Sequence, residues 1–175
     1  RYRGRFEAWI KEHGCYFDAI VLNRPHVSIG LVDAARRHSR ARVVYYGHDV
    51  NHLRMEEQLK LHPDPALKAE AERFRQMEHS MWLASDVILY PSTDETRHVR
   101  LWLAAQGGSA QAETIPLFAY ESLPDEGVPD VADRHDILFV AGFAHPPNVD
   151  AARWFVAEVL PLVRASVPGV RVTLV

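Results

Sequence analysis

Short apolar runs alternate with segments of helical spacing along almost the whole chain, and this alternation narrows the possible folds more than any other feature. Residues 17–22, 41–46, 86–90 and 112–117 each read as a strand, and so do residues 137–141 and 170–175. The run Ile137-Leu138-Phe139-Val140-Ala141 has no polar alternation. That pattern suits a parallel strand buried on both faces. Strands that alternate with helices imply an α/β fold, with Rossmann-like parallel sheets and helices on both faces. In such sheets ligands bind beyond the carboxyl ends of the strands.

The intervening segments carry helix signals. Residues 6–13 read as a helix that stops at Gly14, and Ile29, Leu31, Val32 and Ala35 mark a helix ending near Ser39. Residues 50–61 have a short helical pattern, followed by a break at Pro63-Asp64-Pro65. From 66 to 84, Leu67, Ala71, Phe74, Met77 and Met81 lie on one face of a long helix. Thr93 is a candidate cap for the next helix, with Asp94 and Glu95 in its first turn, Leu101, Trp102 and Ala105 on its buried face, and Gly107-Gly108 as its stop. Beyond residue 141, Asn148 is a candidate N-cap. Trp154, Phe155 and Val159 point to a core there, and Pro161 is expected to break or kink the helix. This strand, helix and strand make a βαβ unit, right-handed by the general rule. Residues 121–134 hold Pro124, Gly127 and Pro129 among five acidic residues, which is linker composition. The expected organisation is a domain over 1–120, a linker over 121–135 and a second domain over 136–175.

A formal charge of −3 and a pI near 6.4 give no broad basic field, so nucleic acid is not an expected partner, although a local anion site stays open. Cys15 is the single cysteine, which leaves no intrachain disulfide and fits a reducing cytosol. No apolar run is long enough for a membrane span and the first residues lack a signal-peptide pattern, so the expected location is the cytoplasm, with room for peripheral contact with the membrane's inner face. The chain starts without methionine and ends on an apolar run, and reads as a piece of a longer protein.

The strand-end rule selects Arg24, Gly47-His48-Asp49, Pro91-Ser92, and Gly142 with His145. His48, behind a glycine that opens the backbone, is suited to hydrogen-bond a sugar hydroxyl or an oxygen of a reacting centre; a loop residue satisfying local backbone groups reads equally well. Asp49 can orient that imidazole or cap the next helix. Arg24 suits a phosphate or an acidic acceptor, or an ordinary surface ion pair. Ser92 can hydrogen-bond a ligand or serve as a turn or cap residue. Gly142 and the helix start near Asn148 offer backbone N–H groups to an anion, or simply a tight turn. His48 and His52 stand four apart, but no glutamate follows His48 and it sits at a strand end, so no metal site is expected. Glu78 reads as an internal ion-pair partner, the remaining histidines as scattered, and Trp82, Trp102, Trp154 and Phe155 as core.

Together these pieces resemble the GT-B glycosyltransferases of the group 1 type, also called glycosyltransferase family 4. The similar features are the strand at 18–22 followed by Arg24-Pro25, the strand closed by His48-Asp49, the helix with Glu78 running into Ala84-Ser85-Asp86-Val87-Ile88, and Ser92 with Glu95. Ile115-Pro116 before the linker is also similar, as is Phe139-Val140-Ala141-Gly142 followed by residues 145–155, with Glu158-Val159-Leu160-Pro161. The resemblance implies sugar transfer from a nucleotide-sugar donor to a carbohydrate or lipid-linked acceptor, with no other cofactor, in a cleft between an acceptor-side domain and a donor domain. His48 would lie beside the transferred sugar. The family's Gly-rich loop would precede Arg1 and its late glutamate pair would follow Val175, so the fragment alone is expected to be inactive. The loop at 142–148 lacks the Arg and Lys that many relatives place there for the diphosphate. Alternatives are a nucleotide-sugar epimerase of GT-B fold and a non-catalytic α/β module, the latter weakened by Arg24, Pro91 and Phe118 where a receiver domain needs acidic and lysine residues. Unpaired strand edges in the second domain lead to an expectation of self-association, or of packing onto the first sheet.

Overall fold

The computed structural model describes residues 4–116, 118–122 and 130–175. The chain divides into two compact units, Arg1–Ala119 and Tyr120–Val175. Pro124, Gly127 and Pro129 of the acidic connector lie outside the described residues, and the connector's end forms a short 3-10 turn, Val131–Asp133.

In the first unit, β1 (Ala19–Asn23), β2 (Arg42–Tyr46), β3 (Val87–Tyr90) and β4 (Gln111–Thr114) form a parallel sheet in the order β1-β2-β3-β4, flanked by helices. The fold is α/β and Rossmann-like, as the alternation of elements predicts. Helix α1 (Phe6–His13) precedes the sheet. Helices α2 (Pro25–Ser28) and α3 (Val32–His38) link β1 to β2, α4 (Asn51–Leu61) and α5 (Pro65–Ala84) link β2 to β3, and α6 (Thr93–Gln106) links β3 to β4. Leu22, Val43, Tyr45, Ile88, Tyr90 and Ala112 are buried under these helices, whereas Val21, on the other face of the pleat, is 65% exposed and Val44 and Val87 are half-buried. Burial was expected on both faces; among the described residues it is complete on one.

Local chemistry sets the helix limits. Asp64 accepts from the Ala66 N–H at 2.8 Å and Pro65 supplies the first helical φ, so α5 starts at the break. Ser92, not Thr93, caps α6 by accepting from the Glu95 N–H at 3.3 Å. At the other end Gly107 takes φ 67°, and the N–H groups of Gly107 and Gly108 return to the carbonyls of Ala104 and Leu103. This is the left-handed termination that glycine permits. The buried face of α6 is Thr96, Val99 and Leu103, and Leu101 is 67% exposed. Of the expected face, Trp102 is half-buried against the core, whereas Leu101 and Ala105 fall on the solvent side of that stripe. At the centre, Trp82 donates its indole N–H to Tyr90 Oη at 3.1 Å, and both residues are fully buried.

In the second unit, β5 (Ile137–Phe139) and β6 (Val172–Leu174) pair in parallel as a sheet of their own, not as an extension of the first. Asp136 braces their entry, accepting from the Arg171 N–H at 2.9 Å and from its Nε at 2.8 Å. The crossover runs through α7 (Pro146–Trp154), a π-helical turn at Phe155–Val159, and α8 (Leu160–Ser166). Proline at position 161 has no N–H and would collide with the carbonyl four residues back, and the widened turn just before it accommodates that break. Ala152 and Leu160 are the buried positions of this crossover, while Trp154 is 61% exposed and so is not core within this unit.

Candidate functional site

Asn23 and Tyr46, the last residues of β1 and β2, are register partners, so the loops that follow them emerge side by side. Between those loops lies a pocket of about 310 Å³, whose lining includes Arg24, His26, Tyr45, His48, Asp49 and Asn51. A groove of about 870 Å³ also occurs between α4 and α5, where Arg75 is bound to both Glu56 and Glu72. The smaller pocket sits at the carboxyl ends of the strands, where ligands of parallel sheets bind.

Arg24 has φ 59° and ψ 107°, a conformation that costs a non-glycine residue about 1–3 kcal/mol. Its carbonyl accepts from the N–H groups of Val27 and Ser28, both at 3.0 Å, and Ser28 Oγ donates to the Asn23 carbonyl at 2.6 Å. These bonds lock the turn that carries the guanidinium.

Gly47 has a different purpose from the one the sequence suggests. A Cβ there would lie 2.2 Å from the Tyr90 ring, so the glycine is needed to let β2 pass a buried aromatic, not to admit a ligand. His48, just beyond it, is exposed and meets Tyr46 edge-on at 5.1 Å. Asp49 neither orients that imidazole nor caps α4. Its Oδ2 pairs with Arg54 Nε at 3.0 Å, on the same helix start.

The cap of α4 comes from elsewhere in the fold. Glu95 Oε1, on α6, accepts from the Val50 N–H at 2.7 Å. Glu78, on α5 and fully buried, accepts from the Asn51 N–H at 2.8 Å, the His52 N–H at 3.2 Å, Asn51 Nδ2 at 3.0 Å and His52 Nδ1 at 2.6 Å. Two carboxylates thus bind three successive main-chain donors of the first turn, where the helix dipole favours negative charge. The loop bearing His48 is anchored from behind. Desolvation raises the Glu95 pKa, against the lowering effect of its bond to Val50. Glu78 does have an internal partner, His52.

Tyr45 was missed, because from sequence it is an ordinary strand aromatic. Its side chain is fully buried and its hydroxyl makes no hydrogen bond among the described residues. Tyr90 Oη, beside it, already accepts from Trp82. Burial, then the charge of Glu78, pushes the Tyr45 phenol up, so it keeps its proton, and its side chain forms part of the pocket wall. A clustering of histidines was also missed. The rings of His79 and His98 lie 5.4 Å and 6.0 Å from that of His52, and His79 stacks on Trp102 at 4.1 Å. Helical spacing within α5 and α6 hides this, because the meeting is between helices. No group of side chains able to hold a metal occurs among the described residues.

The structure therefore brings Arg24, His48 and Asp49 into one pocket and uses Ser92 as a helix cap. Gly142, His145 and Asn148 come together in a single turn of the second unit. The N-cap there is His145, not Asn148; Asn148 lies within the first turn and donates Nδ2 to the Gly142 carbonyl at 3.0 Å. Pro146 explains the earlier start, since proline is suited to the first helical position. No helix among the described residues is long and apolar enough to cross a membrane. A scan against protein-family models finds no match, and searches of curated proteins and of solved structures find none either.

Proposed function

We propose that the chain belongs to a nucleotide-sugar glycosyltransferase of GT-B type and that the Arg24–His48 pocket receives the sugar ring being transferred. The observation that carries this reading is the convergence of Arg24, Tyr45, His48 and Asn51 on one pocket at the strand ends. Its volume of about 310 Å³ is at the small end of ligand sites, adequate for one sugar ring and not for a whole nucleotide sugar. Hydroxyl-rich ligands need donors and acceptors in fixed positions. The protonated Tyr45 hydroxyl donates, the exposed His48 imidazole donates or accepts according to tautomer, and the Asn51 amide oxygen accepts, its NH2 being held by Glu78 and the Asp49 carbonyl. Glycosyl transfer also needs positive charge near the departing diphosphate, and Arg24 supplies a guanidinium in a locked turn.

The test is titration of the protein with UDP-glucose, GDP-mannose and ADP-glucose, read by calorimetry and by shifts of the His48 and Tyr45 resonances. One donor is expected to bind saturably, with affinity reduced about tenfold in His48→Ala, the size of one lost hydrogen bond to a ligand. Absence of binding by all three, or binding indifferent to His48→Ala, rejects the assignment. Product analysis separates transfer to an acceptor from inversion on the donor.

A further inference from the structure

The segment Arg36-Arg37-His38-Ser39-Arg40-Ala41-Arg42 concentrates cationic side chains in a chain of net charge −3. It runs from the end of α3 into the start of β2, at the amino-terminal end of the sheet and so at the opposite end from the His48 pocket. Part of this charge has a local use. Arg37 and His38 meet Glu7 at 3.1 Å and 3.4 Å. Arg36 donates Nε to the Ala84 carbonyl and Nη1 to Asp86 Oδ2, both at 2.8 Å, which closes the carboxyl end of α5 and the start of β3. The side chains of Arg40 and Arg42 make no hydrogen bond or ion pair among the described residues.

A pocket of about 420 Å³ opens among Arg36, Arg40, Arg42, Asp86, Ser109 and Gln111. Three arginines line it beside one carboxylate, and that carboxylate is already engaged: Asp86 Oδ2 also accepts from the Val43 N–H at 2.7 Å. Helix carboxyl ends favour nearby cations, and Arg36 answers that need at Ala84; Arg40 and Arg42 lie past the end of α3 and exceed it. Ser109, behind the Gly107-Gly108 turn, adds a hydroxyl, and Gln111 an amide.

We propose that this pocket binds a phosphate group carried by a small soluble molecule, at a site separate from the His48 pocket. Planar guanidinium forks match two phosphate oxygens at once, and neutral hydroxyl and amide donors complete the shell around a tetrahedral anion. The clamped Arg36 is held in place before the ligand arrives, so less side-chain freedom is lost on binding. A phosphorylated lipid headgroup presents the same chemistry, and the experiment separates the two sources.

The protein is titrated with sodium diphosphate at constant ionic strength, followed by calorimetry and by arginine side-chain NMR signals, alongside flotation with phosphatidylglycerol vesicles. The expected result is saturable one-site binding of diphosphate that weakens about tenfold or more in Arg40→Gln/Arg42→Gln and is unchanged in His48→Ala. Both arginines are exposed, so the double variant is expected to unfold at the same temperature as the parent, which separates lost binding from lost fold. Non-saturable binding, equal affinity in the double variant, or loss in His48→Ala overturns the proposal. So does binding to vesicles with none to diphosphate, which would assign the patch to a lipid surface instead.

Discussion

Replacing Glu78 by Gln is expected to destabilise the first unit by about 3 kcal/mol. The change is nearly isosteric, yet it turns one of two acceptor oxygens into a donor. Each oxygen serves two donors, Oε1 those of Asn51 and Oε2 those of His52, so an amide can satisfy one pair and must point N–H at the other. Two buried donors lose their acceptor, at about 1–3 kcal/mol each before relaxation. At roughly 4 °C per kcal/mol for a unit of this size, the melting temperature should fall by about 12 °C. Urea unfolding followed by tryptophan fluorescence reports it directly, since Trp82 is fully buried in the same cluster. His52→Leu provides the second arm. It removes one donor but leaves the main-chain N–H groups of α4 in need of the carboxylate, so the two substitutions together should cost about 1–3 kcal/mol less than their sum. A loss below about 1 kcal/mol for Glu78→Gln, or strict additivity, would refute the view that this carboxylate holds the start of α4.

Two further outcomes follow from buried polar groups. Burial, then the nearby charges of His52 and Arg75, lowers His79 from 6.5 to about 4, and His98 shifts the same way, with burial as the largest cause. The unfolded chain therefore takes up protons first, so stability is full above pH 6.5 and declines as the pH falls toward 4. Because these rings are only partly buried, the loss should be about 1–2 kcal/mol, less than the full shift implies. Denaturant midpoints measured against pH check it: His79→Phe should shallow this acid limb, and identical limbs in parent and variant would count against the cluster. Tyr45→Phe removes a buried hydroxyl that has no partner, so unliganded stability should hold or rise by up to about 1 kcal/mol while sugar-nucleotide affinity falls. Marked destabilisation in thermal unfolding would mean the hydroxyl already has a partner.

The elements were legible because their signals are local. The period of Leu67, Ala71, Phe74 and Met81 marks one face of α5, and Glu78 falls on that same face, which is why it is buried. The runs that become β1 to β4 are apolar and bounded by turn residues, and each strand differs from the expected one by only a few residues at its ends. What stayed hidden depends on contacts between distant segments. The cap of α4 could not be read near residue 50, since it comes from residues 78 and 95. Gly47 looked like an opening for ligand because its neighbour in space, Tyr90, lies on the next strand. Asp49 looked like a cap because the pattern that precedes a helix is the same whether or not a carboxylate from another helix has already taken the N–H groups. Among the expected site residues, Arg24, His48 and Asp49 met because the rule about strand ends is topological, and a parallel register delivers adjacent strand ends to one place.

The arrangement around that place is hard to explain as packing alone. A fold selected only for stability would relieve the strained Arg24 backbone with glycine, worth about 1–3 kcal/mol, and would replace the Tyr45 hydroxyl with a hydrogen, worth up to about 1 kcal/mol. Together these approach a sizeable part of the 5–15 kcal/mol that separates a typical domain from its unfolded state. Both costs fall on the lining of one pocket, and the carboxylates of Glu78 and Glu95 immobilise the loop that completes it. Local expense beside a rigid support is what a binding site requires: donors held at fixed positions and left without internal partners gain their hydrogen bonds when a ligand arrives. The same reasoning singles out Arg24, Tyr45 and His48 within the pocket, since Asn51 Nδ2, like Asn148 Nδ2 in the turn at Gly142, is already satisfied. It also predicts where affinity resides, in polar groups the fold leaves unsatisfied and not in apolar area.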